Sequence, residues 1–235
     1  NREKYQQVIL EGYRLIEEVA RANIAIEDIY CTSEMMNIIN HNHLLKSNNK
    51  IVISDKECRL ISETQNSQGI IALVSIEKYL QDNINSIKNK NAVILDGVSD
   101  PGNLGTIFRN CIWFGINSII LTDNSIDPFN LKSIRSGMGA HFYFENIVKT
   151  SSKKIIQHLK KYNFNTFIAD LSGEDMQNVN YQENWALVLG SEAHGISDSF
   201  KEFQKVTINK FGSIESLNVS VASGILLNEI TKNNL

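Results

Sequence analysis

The sequence predicts an α/β fold organised around a parallel sheet, and three features make that prediction. The runs "AVILD" (92–96) and "ALVLG" (186–190) are apolar at consecutive positions, as strands covered by helices on both faces should be. Such runs alternate along the chain with segments of helical period. Finally, "LDGVSDPGNLGTIFRNC" (95–111) passes from a strand through a turn of small residues into a helix, the connection that puts polar groups at the carboxyl end of a sheet. With 235 residues, 42% of them hydrophobic, the chain can bury a full core in one or two domains.

In the first half, "YQQVILEGYRLIEEVARAN" places Val8, Ile9, Tyr13, Leu15, Ile16 and Val19 on a stripe and predicts one helix. "IEDIYCT" reads as a strand, "SEMMNIINHNHLL" as a helix, "KIVISD" as a strand, "KECRLISET" as a short helix and "GIIALVS" as a buried strand. These elements make a small α/β domain over residues 1–80. "LQDNINSIKNKN" is polar and lacks periodicity, which predicts a linker at 81–91 and a second domain over 92–235. There "AVILDG", "SIILTD", "FNTFIAD", "WALVLGSE" and "KVTINK" read as strands. Helices are expected in "NLGTIFRNCIWFG", "KKIIQHLKKYN" and "NVSVASGILLNEITK", while "NLKSIRSGMGAHFYF" reads as a helix leading into a short strand.

Composition narrows the function classes. Net charge is −3, with both signs interspersed, so any RNA site has to be a local basic patch. Cys31, Cys58 and Cys111 are scattered without a CxxC pair, which fits free thiols in a reducing, cytoplasmic setting and argues against a zinc site; an organellar origin stays open. His41 and His43 form HxH, but in a solvated helix end, and no metal is expected. No apolar run approaches the roughly 18 residues of a membrane helix. The opening "NREKYQQVILEG" has no signal-peptide core, and the absent Met suggests a trimmed start.

Three loops, each after an apolar strand, carry unusual chemistry. In "DGVSDPGNLGTIFRN" Asn103 suits a helix cap and Gly105 a close backbone approach. Gly102 and Gly105 match the tail of a dinucleotide GxGxxG, and Asp123 stands where such a fold has its ribose-binding acid. In "LVLGSEAHGIS" Glu192 is a base or an anion placed by its loop. In "SLNVS" Ser216, Asn218 and Ser220 exceed what a cap needs.

Together these segments resemble the three motifs of the SpoU (TrmH-like) branch of the SPOUT RNA methyltransferases. "DPGNLGTIFRNCIWFG" is similar to the first, through Asn103, Gly105 and Arg109; "LVLGSEAHGIS" to the second, through Gly190, Ser191, Glu192 and Gly195; "SLNVSVASGILLNE" to the third, through Ser216, Leu217, Asn218, Ser220 and Ala222. "LKSIRSGMGAHFYF" resembles the segment between the first two, and "LEGYRLIEEV" with "SQGIIALV" resembles the family's ribosomal-protein-like substrate-binding domain. The resemblance implies a carboxyl-terminal SPOUT domain whose sheet is tied in a trefoil knot, and a homodimer. It also implies S-adenosylmethionine held in the knot by Gly190, Ile208 and Leu217, with Leu189 and Ser216 nearby. Two departures stand out. Asn209-Lys210 replaces the usual Pro-Met after Ile208, which loosens the cofactor loop, and Gly137 stands where Ser is common.

The implied reaction is methylation of a ribose 2′-hydroxyl, with ribosomal RNA favoured over transfer RNA. Arg109 is the nominated catalytic residue; a guanidinium stays protonated, so its part is to clamp a phosphate and stabilise developing alkoxide charge. Glu192 organises the site by holding Asn103 or Arg109, and Ser216 and Asn218 reach the ribose or Arg109. Arg14, Arg21, Lys46, Lys132 and Arg135 are the RNA-contact candidates. Two other classes remain open at this point: a nucleotide-binding oxidoreductase using "DPGNLG" and Asp123, and a non-catalytic RNA-binding or assembly factor on the same fold.

Overall fold

The computed structural model describes residues 2–64, 67–79, 83–88, 90–181 and 184–232. They fall into two compact units, 1–80 and 81–235.

The first unit contains α1 (Arg2–Tyr5), β1 (Gln7–Glu11), α2 (Tyr13–Arg21), β2 (Ile26–Cys31), α3 (Ser33–His41), β3 (Lys50–Val52), α4 (Asp55–Ile61) and β4 (Ile70–Ser75). Its sheet runs β1-β4-β2-β3, with β4 antiparallel to both neighbours and β3 parallel to β2. The single helix expected across the first segment is instead β1 followed by α2. Val8 and Leu10 point inward with Ile9 outward, a period of two, and Gly12 at φ 100° turns the chain before Leu15, Ile16 and Val19 bury the helix. Over so short a run, apolar residues at 8, 9 and 13 fit either period. Thr32 caps α3 by accepting from Met35 N–H, and Ser54 with Glu57 forms a reciprocal capping box on α4. Cys31, Cys58 and Cys111 are free, buried thiols.

The second unit holds β5 (Ala92–Asp96), α5 (Pro101–Trp113), β6 (Ser118–Thr122), α6 (Leu131–Ser136), β7 (Asn146–Thr150), α7 (Ser152–Lys161), β8 (Asn165–Asp175), β9 (Trp185–Gly190), β10 (Gln204–Thr207) and α8 (Val219–Thr231). All six strands are parallel, in the order β10-β8-β9-β5-β6-β7. Every residue of β5 and β6 is buried, because helices cover both faces. Ile94, Ile120 and Val188 meet Ile155 and Leu159 of α7 in one core cluster. Residues 81–91, expected as a linker, are not all free of the core. Ile84–Ser86 forms a 3₁₀ turn, Ile87 is fully buried, and its carbonyl accepts from His158 Nε2 at 2.8 Å. Residues 81, 82 and 89 of that stretch lie outside the described residues. The short strand expected at "HFYF" is a 3₁₀ turn, Ala140–Tyr143, and the strand follows it as β7.

The carboxyl end of the sheet is shaped by an irregularity. Lys205 lies opposite Ile168, but Val206 lies opposite Glu174, so residues 169–173 bulge out of the β8–β10 ladder. Gly173 permits this: a Cβ there would sit 2.6 Å from the Val206 backbone. No helix among the described residues is long and apolar enough to cross a membrane, and among them no group of His, Cys, Asp or Glu is placed to hold a metal.

Helix α5 is pressed against α6 through two glycines. A Cβ on Gly105 would lie 2.2 Å from Ser133 O and 2.0 Å from Ser136 Oγ, and one on Gly137 would lie 2.9 Å from Gly105 O. The Ser-to-Gly departure at 137 therefore serves helix contact. Behind the crossing, His141 is fully buried, stacked on Phe108 at 4.3 Å, and its pKa is lowered to about 3 by burial, opposed by a hydrogen bond to the Pro128 backbone. Gly105→Ala forces backbone against backbone and is expected to destabilise the protein by about 1–3 kcal/mol in denaturant unfolding; a loss within the noise of the titration contradicts this packing.

Candidate functional site

The first motif loop follows β5 and enters α5. Its helix is capped by Asp100, whose Oδ1 accepts from Asn103 N–H at 2.8 Å, with Pro101 in the first turn. Asn103, expected as the cap, sits three residues further on, which frees its side chain. The protein's own carboxylate already occupies this helix N-terminus, so it is no phosphate cradle. Asp123 is exposed and lines no part of the cavity below, and the dinucleotide reading loses both its anchors.

The second loop leaves β9 at Gly190, opposite Asp96 in register. A Cβ on Gly190 would fall 2.3 Å from the Gly195 carbonyl carbon; its absence lets Ser191 and Gly195 exchange backbone hydrogen bonds of 3.1 and 2.9 Å. Asp96, almost wholly buried, accepts from Ser197 N–H at 2.7 Å and ties the loop's far end to β5. The third loop, residues 208–218, ends at Asn218, which caps α8: its Oδ1 accepts from Ser220 N–H at 2.9 Å and Ser220 Oγ at 2.6 Å.

The three loops are joined by side chains. Asn218 Nδ2 donates to Asn103 Oδ1 at 2.9 Å, and Asn103 Nδ2 donates to Glu192 Oε1 at 2.6 Å. The amide orientations follow from the ends of this chain. Backbone N–H groups fix the Asn218 oxygen, and a carboxylate only accepts, so each amide between them has one consistent orientation.

Around this relay lies a cavity of about 750 Å³, lined by the bulge of β8, the loop after β9 and residues 206–212 and 214–219. That volume falls within the range of about 300–1,000 Å³ typical of small-molecule sites. The proposed cofactor residues Leu189, Gly190, Ile208, Ser216 and Leu217 all line it, as do Glu192 and Asn218. Asn103 is reached only through those two. Arg109 is not among the lining residues; it is exposed and its side chain has no hydrogen bond or ion pair with any described residue. Ser216 is also exposed, without a hydrogen bond to the described residues.

Of the RNA-contact candidates, Arg14, Arg21 and Lys46 belong to the first unit, Lys132 and Arg135 to the second. Arg14, Lys46 and Lys132 are exposed, Arg21 pairs with Glu17 and Glu18, and Arg135 is half-buried.

Several residues escaped the sequence reading. Asp170 lines the cavity and is held below the usual carboxylate range by hydrogen bonds from the Ser172 hydroxyl and N–H, helped by Lys205 at 3.3 Å. Asn110 ties α5 to α8, donating to Ser220 O and Ser223 Oγ, both at 2.9 Å. Thr122 and Ser125 hydroxyls accept from Gly97 N–H and shape the β5 turn. Only Asp96, an acid ending an apolar run, carried a visible signal.

Comparisons with known proteins show the family and the fold. Residues 90–228 match the SpoU rRNA methylase family, and residues 1–72 match the MRM3-like substrate-binding domain. The chain belongs to the SpoU rRNA methylase family. It is 28% identical over 96% of its length to the 23S rRNA guanosine 2′-O-methyltransferase RlmP of Bacillus subtilis, covering 89% of that protein. It is 30% identical over 72% of its length to the 23S rRNA guanosine 2′-O-methyltransferase RlmB of Neisseria meningitidis, covering 70% of it. A TrmH-family structure from Porphyromonas gingivalis superposes with a TM-score of 0.83, at 27% identity, over 99% of this chain and 92% of that one. An AdoMet-bound rRNA methyltransferase from Sinorhizobium meliloti, at 24% identity, shares the fold with a TM-score of 0.84 over 100% of this chain and 90% of that one.

Asn103→Ala is expected to cost only about 1 kcal/mol of stability. Amide exchange should nevertheless quicken in both 191–195 and 216–221, loops distant in sequence from the substitution. Faster exchange confined to 101–105 contradicts the relay.

Proposed function

We propose that the protein transfers a methyl group from S-adenosylmethionine to a ribose 2′-hydroxyl of ribosomal RNA, as a cytoplasmic homodimer. The observation that carries this reading is the cavity at the carboxyl ends of β8, β9 and β10, whose walls are the second and third family motifs and whose relay reaches into the first. The relatives named above as 23S rRNA methyltransferases favour ribosomal RNA over transfer RNA.

The lining suits S-adenosylmethionine. Leu189, Ile208, Leu217 and Leu226 offer apolar contact for an adenine, and the loops at Gly190 and 208–217 offer backbone groups. Glu192 and Glu215 line the cavity with one ammonium, Lys210, while Asp170 is paired with Lys205, a balance that favours a cationic centre. When bound, the cofactor supplies an electrophilic methyl on a sulfonium leaving group. The chain's own task is to hold and activate the hydroxyl. The Arg109 guanidinium, unpaired among the described residues, binds the phosphate beside the target ribose and stabilises negative charge growing on its 2′-oxygen. The hydroxyl proton needs another acceptor, since a guanidinium has no lone pair to receive it. Glu192 keeps Oε2 without a hydrogen bond among the described residues while Oε1 holds Asn103, so it is the carboxylate with capacity to take it.

Arg109 lines no part of its own chain's cavity, which is the reason to invoke a second copy. Trp113, one helical turn beyond it on α5, is 83% exposed, and Val221 on the adjoining α8 is 51% exposed. Pairing through this face would hide both and bring the partner's Arg109 to the pocket. A trefoil knot is supported by chain order: β9 lies between β5 and β8, and the chain leaving β10 returns to lay α8 against β9 and α5. Residues 1–80 are the RNA-binding module and 92–235 the methyltransferase domain. Arg14 and Lys46 contact the RNA from the first, Lys132 and Arg135 from the second, and Arg21 contributes less because Glu17 and Glu18 already hold it.

Arg109→Ala should lower kcat by at least about 100-fold with calorimetric S-adenosylmethionine affinity unchanged, and Arg109→Lys should recover little. An unchanged kcat rejects Arg109 as the catalytic residue. Trp113→Ser should shift sedimentation from dimer towards monomer and lower activity in parallel; a protein that sediments as a monomer before substitution rejects the shared site.

A further inference from the structure

The third-motif loop leaves β10 after Thr207, and one side-chain hydrogen bond fixes that exit. Residues 209–218 are exposed throughout, and 210–217 make no hydrogen bond with any described residue. The loop is therefore held by its two ends. At one end Asn218 is fixed by α8 and Asn103. At the other, Asn209 Nδ2 donates to Asp175 Oδ2. Asp175 is itself immobilised: its Oδ1 accepts from Gln177 N–H at 3.0 Å, its carbonyl from Asn178 N–H at 2.9 Å, and the next residue, Met176, donates its N–H to Thr207 O at 2.9 Å. Thr207 and Asp175 are also register partners in the β8–β10 ladder.

We propose that Asp175 and Asn209 form a latch that sets the entry of the cofactor loop, doing with a side-chain hydrogen bond what a proline does by fixing φ. This rests on the cavity being the S-adenosylmethionine site. The physical reasoning concerns preorganisation. A loop without internal hydrogen bonds loses conformational freedom when a ligand orders it, and each anchored end removes part of that loss beforehand. Asp175 does not line the cavity and is a positioning residue that acts through the loop carrying Ser216 and Leu217; Asn209 borders the cavity, so exchanging the two side chains separates loss of the latch from loss of a direct contact. Their removal should weaken binding and leave the chemical step alone, because once the cofactor is bound the loop is ordered in either case.

The geometry also offers a swap. An amide at position 175 still accepts from Gln177 N–H and can donate to a carboxylate at 209, so exchanging the two groups rebuilds the bond with its polarity reversed. Four forms of the full-length protein separate the possibilities: wild type, Asn209→Ala, Asp175→Ala, and the double exchange Asp175→Asn with Asn209→Asp. S-adenosylmethionine affinity is read by calorimetry, kcat and KM on ribosomal RNA, and amide exchange over 209–217 without cofactor. The latch predicts that each alanine variant raises Kd roughly three- to tenfold, raises KM for the cofactor in step, leaves kcat within about twofold and quickens exchange in the loop. The double exchange should return Kd close to wild type. Alanine variants that bind as wild type does, or a double exchange no better than the single losses, overturn the latch while leaving the methyltransferase reading intact. Failure of the wild type to bind S-adenosylmethionine overturns both.

Discussion

The side-chain amide of Asn103 is the group on which the rest of the site depends. It stands between a neutral donor on one loop and a carboxylate on another, and its amide accepts from the first while donating to the second. Aspartate at 103 would face Glu192 with like charge, and leucine would leave both partners unsatisfied. The amide is free for this duty because Asp100 caps the helix in its place. Glu192 thus has a structural reason to be acidic that does not depend on its acting as a base. Loops separated by 89 and 115 residues of chain share one hydrogen-bonded path.

Backbone proximity supplies the rigid frame around that path. Gly105 and Gly137 let α5 rest on α6, Gly190 lets its loop fold back on Gly195, and Gly173 lets the bulge of β8 pass the Val206 backbone. Each closes a gap that a single methyl would hold open. Buried Asp96, Thr122 and Ser125 then fasten the turns at the ends of β5 and β6. The cavity opens at the carboxyl ends of β9, β8 and β10, the strands laid to one side of β5, with β6 and β7 on the other. Topology fixes where a ligand can sit, and the motif loops fix what can sit there.

Much of this was legible in the residues. Apolar runs such as "AVILD" and "ALVLG" announced covered parallel strands, whereas Asn218 and Ser220, read as exceeding a cap, form the cap of α8. Where reading failed, the cause was a degenerate signal. At residues 8–13 the apolar pattern satisfied both periods, and the choice fell to Gly12 and to pairing with β4. At "HFYF" aromatic β-propensity gave way to burial of Phe142 and Phe144 around a 3₁₀ turn. Ile87 was a lone apolar anchor in a polar stretch. Asn110, Asp170 and the Asp175–Asn209 pair carry ordinary polar residues whose partners lie far away in sequence, and no local pattern marks them. The Asp175–Asn209 bond appears only when β8 and β10 are set side by side.

The most direct test of the whole account uses the chemistry of the product. Alkaline cleavage of RNA requires a free 2′-hydroxyl, so a methyl group placed there protects the adjoining phosphodiester. Ribosomal RNA would be incubated with the protein and S-adenosylmethionine carrying a labelled methyl, then hydrolysed in alkali and separated by size. The account predicts label in alkali-resistant dinucleotides, lost when Arg109→Ala replaces the wild type. Label recovered in mononucleotides, marking methylation of a base, would contradict it.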